Sequence, residues 1–141
     1  MKWIGLLVIF LCGCASDQAL TPPQLPTGDF SVNAFPNGIY LITYKGAESV
    51  PTERVIDLAL LKASQVTRER EFKWFVIVDQ IASKPGEIKF RRSMPAPGEW
   101  NNELLIQGFK ERPERVFCYL AEATERAIYE KFRTSEEAET L

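Results

Sequence analysis

The chain has 141 residues, a formal net charge of −2 and a hydrophobic fraction of 45%, and this length predicts a single domain. It contains no histidine, which excludes a Ser-His-Asp triad, a Cys-His pair and imidazole-ligated metal sites. Because 17 basic side chains are balanced by 19 acidic ones, the composition also argues against nucleic-acid binding.

The first thirteen residues form a short apolar segment with ten apolar side chains and one charge, Lys2. A basic start, a short apolar run and small residues at the end are typical of a secretory signal peptide. The run from Trp3 to Cys12 is ten residues long, whereas a membrane-spanning helix needs roughly 20. We therefore predict a signal peptide at residues 1–13. The alternative is a buried N-terminal strand or helix of a cytosolic protein, which would be hard to pack beside the polar stretch that follows.

The end of this segment, Leu11-Cys12-Gly13-Cys14, resembles the lipobox of bacterial lipoproteins. The resemblance implies that Cys14 is thioether-linked to diacylglycerol and becomes the N-terminus after cleavage. Two or more acyl chains hold a protein stably at a membrane, so this lipid would be a lasting anchor. In such lipoproteins an aspartate after the cysteine favours the inner membrane, and here Ala15 follows. The resemblance therefore implies the outer membrane, with the protein facing the periplasm.

Residues 14–29 are predicted to be the lipidated cysteine and a proline-rich tether. Three of the nine prolines, Pro22, Pro23 and Pro26, fall within five residues. Proline-rich segments extend by about 3.1 Å per residue, so fifteen residues would reach about 45 Å. That length would hold the domain clear of the lipid headgroups, although the segment could also dock as a spacer.

Residues 30–134 are predicted to form one globular domain that begins with a strand, a helix and a second strand. A turn at Asn37-Gly38 precedes a strand over 39–44, which is apolar on both alternations and therefore central in its sheet. Apolar residues at spacings of three and four predict a helix over 52–70. A strand over 72–79 completes a βαβ unit and places Asp79 at the carboxyl end of a parallel strand, where α/β proteins bind ligands.

The second half of the domain has weaker patterns. We predict a strand over 87–92, a proline-containing loop over 94–98, a strand over 103–107 ended by Gly108, and a helix over 114–133. The apolar face of that helix would comprise Phe117, Leu120, Ala121, Thr124, Ile128 and Phe132. Residues 135–141 are predicted to be a frayed acidic tail. The expected fold is an α+β two-layer sandwich with about three to five strands, a βαβ unit and a C-terminal helix.

The strand–helix–strand segment is similar to the core of a family of small, uncharacterised proteobacterial outer-membrane lipoproteins. The matching pieces are residues 40–46 (YLITYKG), 52–63 (TERVIDLALLKA) and 72–79 (FKWFVIVD). The resemblance implies an envelope lipoprotein and supplies no catalytic residues. Nothing after residue 79 belongs to it.

Two places in the domain are candidate functional sites. Trp100 follows Pro97-Gly98-Glu99 in a loop, where a tryptophan either anchors a partner or a lipid interface or is buried in the loop's own cluster. Asp79 together with Arg91 and Arg92 could serve an enzyme or a small-ligand sensor; the alternatives are a capping carboxylate and a solvated mixed surface. The chain has no glycine-rich phosphate loop, metal-ligand spacing or nucleophile elbow, so we predict no catalytic residue, cofactor or metal.

These observations predict a non-catalytic binding or scaffolding protein, anchored to the outer membrane by the lipid on Cys14 and facing the periplasm. An envelope protein is the expected partner. The alternative is an envelope enzyme or small-ligand sensor that uses Asp79 and the Arg91/Arg92 region. A third possibility is an accessory subunit of a larger envelope complex, with Trp100 and the 94–98 loop as the contact. Cys118 would be left without an intramolecular partner, as either a buried inert thiol or an intermolecular or reactive one.

Overall fold

The computed structural model describes residues 29–81 and 88–139, without the side chains of residues 80, 81 and 139. The expected signal peptide, Cys14 and the tether before Asp29 lie outside these residues. The strands are β1 (Phe30–Phe35), β2 (Ile39–Tyr44), β3 (Trp74–Ile81), β4 (Ile88–Arg91), β5 (Glu103–Phe109) and β6 (Tyr119–Leu120). The helices are α1 (Thr52–Glu69) and α2 (Ala121–Glu139), and two short 3-10 turns are Pro36–Gly38 and Pro97–Glu99.

One sheet contains all six described strands, in the order β1-β2-β5-β3-β4, with β6 beside the first residues of β3. Every neighbouring pair is antiparallel. The α+β class and the C-terminal helix are therefore confirmed. The sheet has six described strands, whereas about three to five were expected. The sequence pattern did not indicate β1 or the two-residue β6.

The strand–helix–strand unit is present as a crossover whose two strands are not neighbours. Because β2 and β3 are each antiparallel to β5, they run in the same direction with β5 inserted between them. The expectation that Asp79 ends a parallel strand is wrong. Asp79 lies inside β3, at a register shift between Val78 and Gln80, and β3 has only antiparallel neighbours.

Both helices lie on one face of the sheet, which we call the first face. The period of two along each strand directs alternate side chains to this face. Their buried members form one core with α1 and with Ala121, Ile128 and Phe132 of α2; the strand members are Phe30, Tyr40, Ile42, Phe75, Ile77, Leu104 and Ile106. The apolar stripe of α1 predicted from its spacing supplies Val55, Ala59, Ala63 and Val66 to the same core, and Leu58 and Leu61, which that stripe does not include, are buried there as well.

The opposite face of the sheet, which we call the second face, is also apolar. The alternate positions of the strands direct Ile39 and Leu41 of β2, Leu105 and Phe109 of β5, Trp74, Val76 and Val78 of β3, and Phe90 of β4 to this side. Ile39, Val76 and Val78 are buried, and the others are half-buried. Neither helix contributes to this face.

The C-terminal helix begins and ends later than the sequence predicts. It covers Ala121–Glu139 rather than 114–133, and it includes residues 135–139, which were expected to be a frayed tail. Phe117 precedes the helix and is exposed, while Leu120 belongs to β6. The helix starts where the Ala121 N–H donates to the carbonyl oxygen of Lys73 at 3.0 Å, so the paired start of β3 sets its first residue.

Candidate functional site

Trp100 lines a groove between the 45–50 loop and the 97–102 segment. This Trp100 groove has a volume of about 490 Å³. Its apolar wall is formed by Tyr44, Val50, Val55, Pro97 and Trp100, and the charged side chains at its rim are Lys45 and Glu48. Polar atoms make up more of the groove's surface than apolar ones, so the apolar wall is one side of a largely polar groove.

Tyr44 shapes the floor of the Trp100 groove. Its hydroxyl donates a hydrogen bond to the Ala47 carbonyl oxygen at 3.0 Å, and its ring lies 5.2 Å from that of Phe30. Gly46 makes this position possible, because a Cβ there would lie 2.4 Å from the Tyr44 hydroxyl oxygen. A side chain at residue 46 would therefore displace the tyrosine and change the shape of the groove.

Trp100 itself is half-buried and packs against the main core. Its indole N–H donates to Asn102 Oδ1 at 3.1 Å, which satisfies the polar group of the ring. The ring is thus fixed by the fold, and it also lines an open groove. The neighbouring Pro97 is exposed. A role of Trp100 in partner contact stays a prediction.

A second hollow adjoins the Trp100 groove and has a volume of about 380 Å³. The two share Tyr44 and Val50 as lining residues, so they are neighbours. Asp29 lines the hollow, and its carbonyl oxygen accepts a hydrogen bond from the Lys45 N–H at 2.7 Å. The hollow therefore lies where the described part of the chain begins.

Asp79 and Arg91 are brought together, as the alternative site requires, but the cluster is open to solvent. Arg91 Nη1 lies 3.8 Å from Asp79 Oδ1, and Arg91 Nη2 lies 2.6 Å from Glu99 Oε2. The side chains of Asp79 and Glu99 are 53% and 58% exposed. Arg92 is exposed and takes no part in these contacts. Such a solvated network of ion pairs is typical of a protein surface.

A further hollow of about 470 Å³ lies near the other end of α1, lined by Phe72 and Leu120 and by charged side chains. One of these, Arg68, forms an ion pair with Glu125 of α2. The hydrogen bond that Arg68 donates to the Glu125 carboxylate raises the pKa of the Arg68 guanidinium. This ion pair joins α1 to α2, so the Arg68 side chain is already engaged in a contact within the fold.

Two other expectations concern the described residues. Cys118 is a free, half-buried thiol, rather than a fully buried one. Within residues 29–81 and 88–139, no three Cys, Asp or Glu side chains are grouped to hold a metal ion. In the same residues no helix has the length and hydropathy to cross a membrane.

Comparison of the chain with protein-family models, with curated proteins and with solved structures found no match.

Trp100 is recognisable from the sequence as a candidate site residue, but its neighbours in the groove are not. Tyr44 and Val50 precede Trp100 by about fifty residues, and only the tertiary fold brings the two segments together. The Tyr44-Lys45-Gly46 sequence was the available signal, because a glycine directly after a strand often allows a close approach of a neighbouring group.

Proposed function

We propose that the protein is a lipid-anchored, non-catalytic binding or scaffolding module at the periplasmic face of the outer membrane. The observation that carries this proposal is Leu11-Cys12-Gly13-Cys14, which follows directly on a ten-residue apolar run. In this proposal Cys14 carries the diacylglycerol and residues 15–29 tether the domain. Ala15 after the cysteine supports the outer rather than the inner membrane.

The Trp100 groove is the surface through which the module binds an envelope protein. Its support is a groove with one apolar wall and an otherwise polar lining, a tryptophan held in place by Asn102, and the exposed Pro97 beside it. Aromatic side chains supply large contact area at small conformational cost, which makes them frequent anchors of protein interfaces. The groove also lies next to Asp29, so a partner would dock close to the end of the tether.

Replacing Cys14 tests the anchor. We expect Cys14→Ala to abolish palmitate labelling in cells and to accumulate as an unprocessed precursor, because only a cysteine at this position can form the thioether. The matched control is Cys12→Ala, which keeps the modified residue and should still be labelled. Mass spectrometry of the N-terminal peptide measures both, and density-gradient fractionation locates the labelled protein. An unmodified Met1 in the protein isolated from cells would refute the proposal.

Site-specific photocrosslinking tests the Trp100 groove. We expect a photoreactive residue in place of Pro97 or Glu48 to capture the same single envelope protein in intact cells, because both positions line the groove. The control is Ala123, an exposed residue on α2 that lines none of the hollows described above. Capture of the same proteins at all three positions would show that the groove has no specific partner. Membrane anchoring is measured in the same cells, so a failure of the proposed lipid anchor can be distinguished from a failure of the proposed partner site.

A further inference from the structure

The two edges of the sheet differ in how they are protected against pairing with another strand. At one edge β4 is only four residues long, carries Lys89 and Arg91, and pairs with β3 through a register shift. Short strands, cations and bulges are the usual means by which an edge is kept from further pairing. At the other edge all six residues of β1 pair with β2 in one register, and none of the six is charged or a proline. In the described part of the chain no strand pairs with the outer side of β1.

The hydrogen bonds at the start of β1 show which of its backbone groups point outwards. The Lys45 N–H donates to the Asp29 carbonyl oxygen at 2.7 Å, so residue 29 bonds on the β2 side. The Tyr44 N–H donates instead to the Asn102 carbonyl oxygen at 2.8 Å, on the side of β5. Because bonded and non-bonded pairs alternate along an antiparallel ladder, every second residue of β1 directs its N–H and C=O away from β2. These residues are Phe30, Val32 and Ala34.

The second hollow, of about 380 Å³, lies at the start of this edge, where Asp29 lines it. Tyr44, which is paired with Phe30 and shares the first face with it, lines the hollow together with Leu58 of α1. Apolar atoms make up more of the surface of this hollow than polar ones. A strand added along β1 directs alternate side chains to the first face, so its side chain next to Phe30 would lie at the hollow.

We propose that the outer edge of β1 binds an extended segment of another protein as an additional antiparallel strand, with a large apolar side chain of that segment in the second hollow. Backbone pairing combined with a pocket for a side chain is how sheet edges bind extended peptides. The segment that fits has apolar residues beside Phe30 and Val32 on the first face and polar residues beside Ser31 and Asn33 on the second. The proposal does not depend on the lipid anchor or on the Trp100 groove.

A second copy of β1 does not fill the second hollow. Two β1 strands that pair through all of their outward groups are centred on Val32, and Ala34 of one copy then lies opposite Phe30 of the other. A methyl group is too small for a hollow of about 380 Å³. The chain before β1 is also a poor strand partner, because three of residues 22–26 are prolines, which have no N–H to donate. A segment of a different protein therefore fits the edge best.

Synthetic peptides test this edge on the full chain in detergent. The probe is a fluorescently labelled peptide of the sequence Thr-Val-Thr-Val-Thr-Leu-Thr, which places its leucine opposite Phe30 and its second valine opposite Val32. Fluorescence anisotropy measures the dissociation constant. Methylation of the backbone nitrogen of the second valine should weaken binding at least roughly tenfold, because this N–H donates to the Val32 carbonyl oxygen. Methylation of the next threonine, whose N–H points away from β1, is the matched control and should leave the affinity unchanged.

Replacing the leucine of the peptide by alanine tests the hollow. We expect this peptide to bind roughly tenfold more weakly, because the methyl group leaves the apolar surface of the hollow uncovered. Equal affinities of the leucine and alanine peptides would overturn the assignment of the hollow. Equal affinities of the two methylated peptides would overturn the strand pairing.

Variants of Val32 test the same contact from the protein. Val32→Pro should abolish peptide binding, since it removes an outward N–H that takes no part in the ladder with β2. Val32→Thr keeps the N–H and the branched side chain, and it should bind the peptide as the unchanged protein does. Circular dichroism checks that both variants fold, and the methylated peptides test the pairing without any change in the protein.

The other possible occupants of the edge give different results. A full chain that sediments as a dimer, and that Val32→Pro makes monomeric, would overturn the proposal in favour of pairing between two copies. A full chain that binds no peptide at concentrations up to about 1 mM would overturn it as well, since the edge is then covered by another part of the chain or does not accept a strand.

Discussion

Tyr119 is the residue whose ionisation the fold changes most clearly. Its ring stacks on Phe75 with centroids 5.1 Å apart, and it packs against the main core. Burial raises the pKa of the phenol above its ordinary value of 10.0, and a hydrogen bond with the Met94 backbone opposes this in part. The neutral form is therefore favoured in the folded protein.

This shift predicts a loss of stability at high pH. A pKa raised by folding contributes stability that is present below pH 10 and is lost as the pH rises through 10 towards the folded-state pKa. We expect the unfolding free energy of the Tyr119→Phe variant to fall less steeply between pH 9.5 and 11.5 than that of the unchanged protein. Urea unfolding at several pH values measures this, with each protein's own value at pH 8 as its reference. Equal slopes for the two proteins would contradict it.

Gly108 is a second residue on which the packing depends. A Cβ at this position would lie 2.6 Å from Cδ2 of Phe72, so the phenylalanine ring occupies the space of the missing side chain. This explains why Gly108 does not end β5 as the sequence predicts. The strand continues to Phe109. Gly108 allows the close approach of the Phe72 ring and does not form a turn.

At the level of elements, the start of α2 shows how a helical spacing can be misleading. Phe117 and Leu120 fit the periodicity of the residues that follow, yet Arg115 has a φ of 62°, which no right-handed helix allows. Leu120 pairs with Trp74 across β6 and β3. The long-range pairing of β6 with β3 therefore makes a strand of residues that the local spacing assigns to the helix.

Two alanine substitutions distinguish the predicted from the observed helix. Phe132 is 6% exposed and contacts the core, so Phe132→Ala should lower the unfolding free energy by about 3–5 kcal/mol. Phe117 is 52% exposed, so Phe117→Ala should cost about 1 kcal/mol or less. Both values are measured by urea unfolding. Similar losses in the two variants would support a helix that begins before Phe117.

Local patterns predicted β2 and α1 almost to the residue, because the strand alternation and the helical spacing are properties of neighbouring residues. The edge strand β1 was missed, although Phe30, Val32 and Ala34 alternate with the polar Ser31 and Asn33 in the period of two that is typical of a half-exposed strand. The insertion of β5 between β2 and β3 was not predictable, because it joins residues about sixty positions apart. For the candidate site, Trp100 was recognisable as a loop aromatic, whereas its groove depends on the same long-range folding.

For the whole molecule, the two faces of the sheet differ in what packs against them. The first face and the two helices form the core, and neither of the described helices packs against the second face. The Trp100 groove lies at the end of the domain where the described chain begins. The proposed anchor and partner site therefore involve different parts of the chain, and each is tested separately.

The central position of β5 has a consequence for folding kinetics. β2 and β3 cannot join into one sheet until β5 lies between them. The sheet therefore forms only after a contact with a segment that follows β2 by about sixty residues. Contacts of such long sequence separation slow folding. We expect Ile106→Val, in the middle of β5, to lower the folding rate, whereas Ile128→Val in α2 should mainly raise the unfolding rate; stopped-flow chevron measurements distinguish the two.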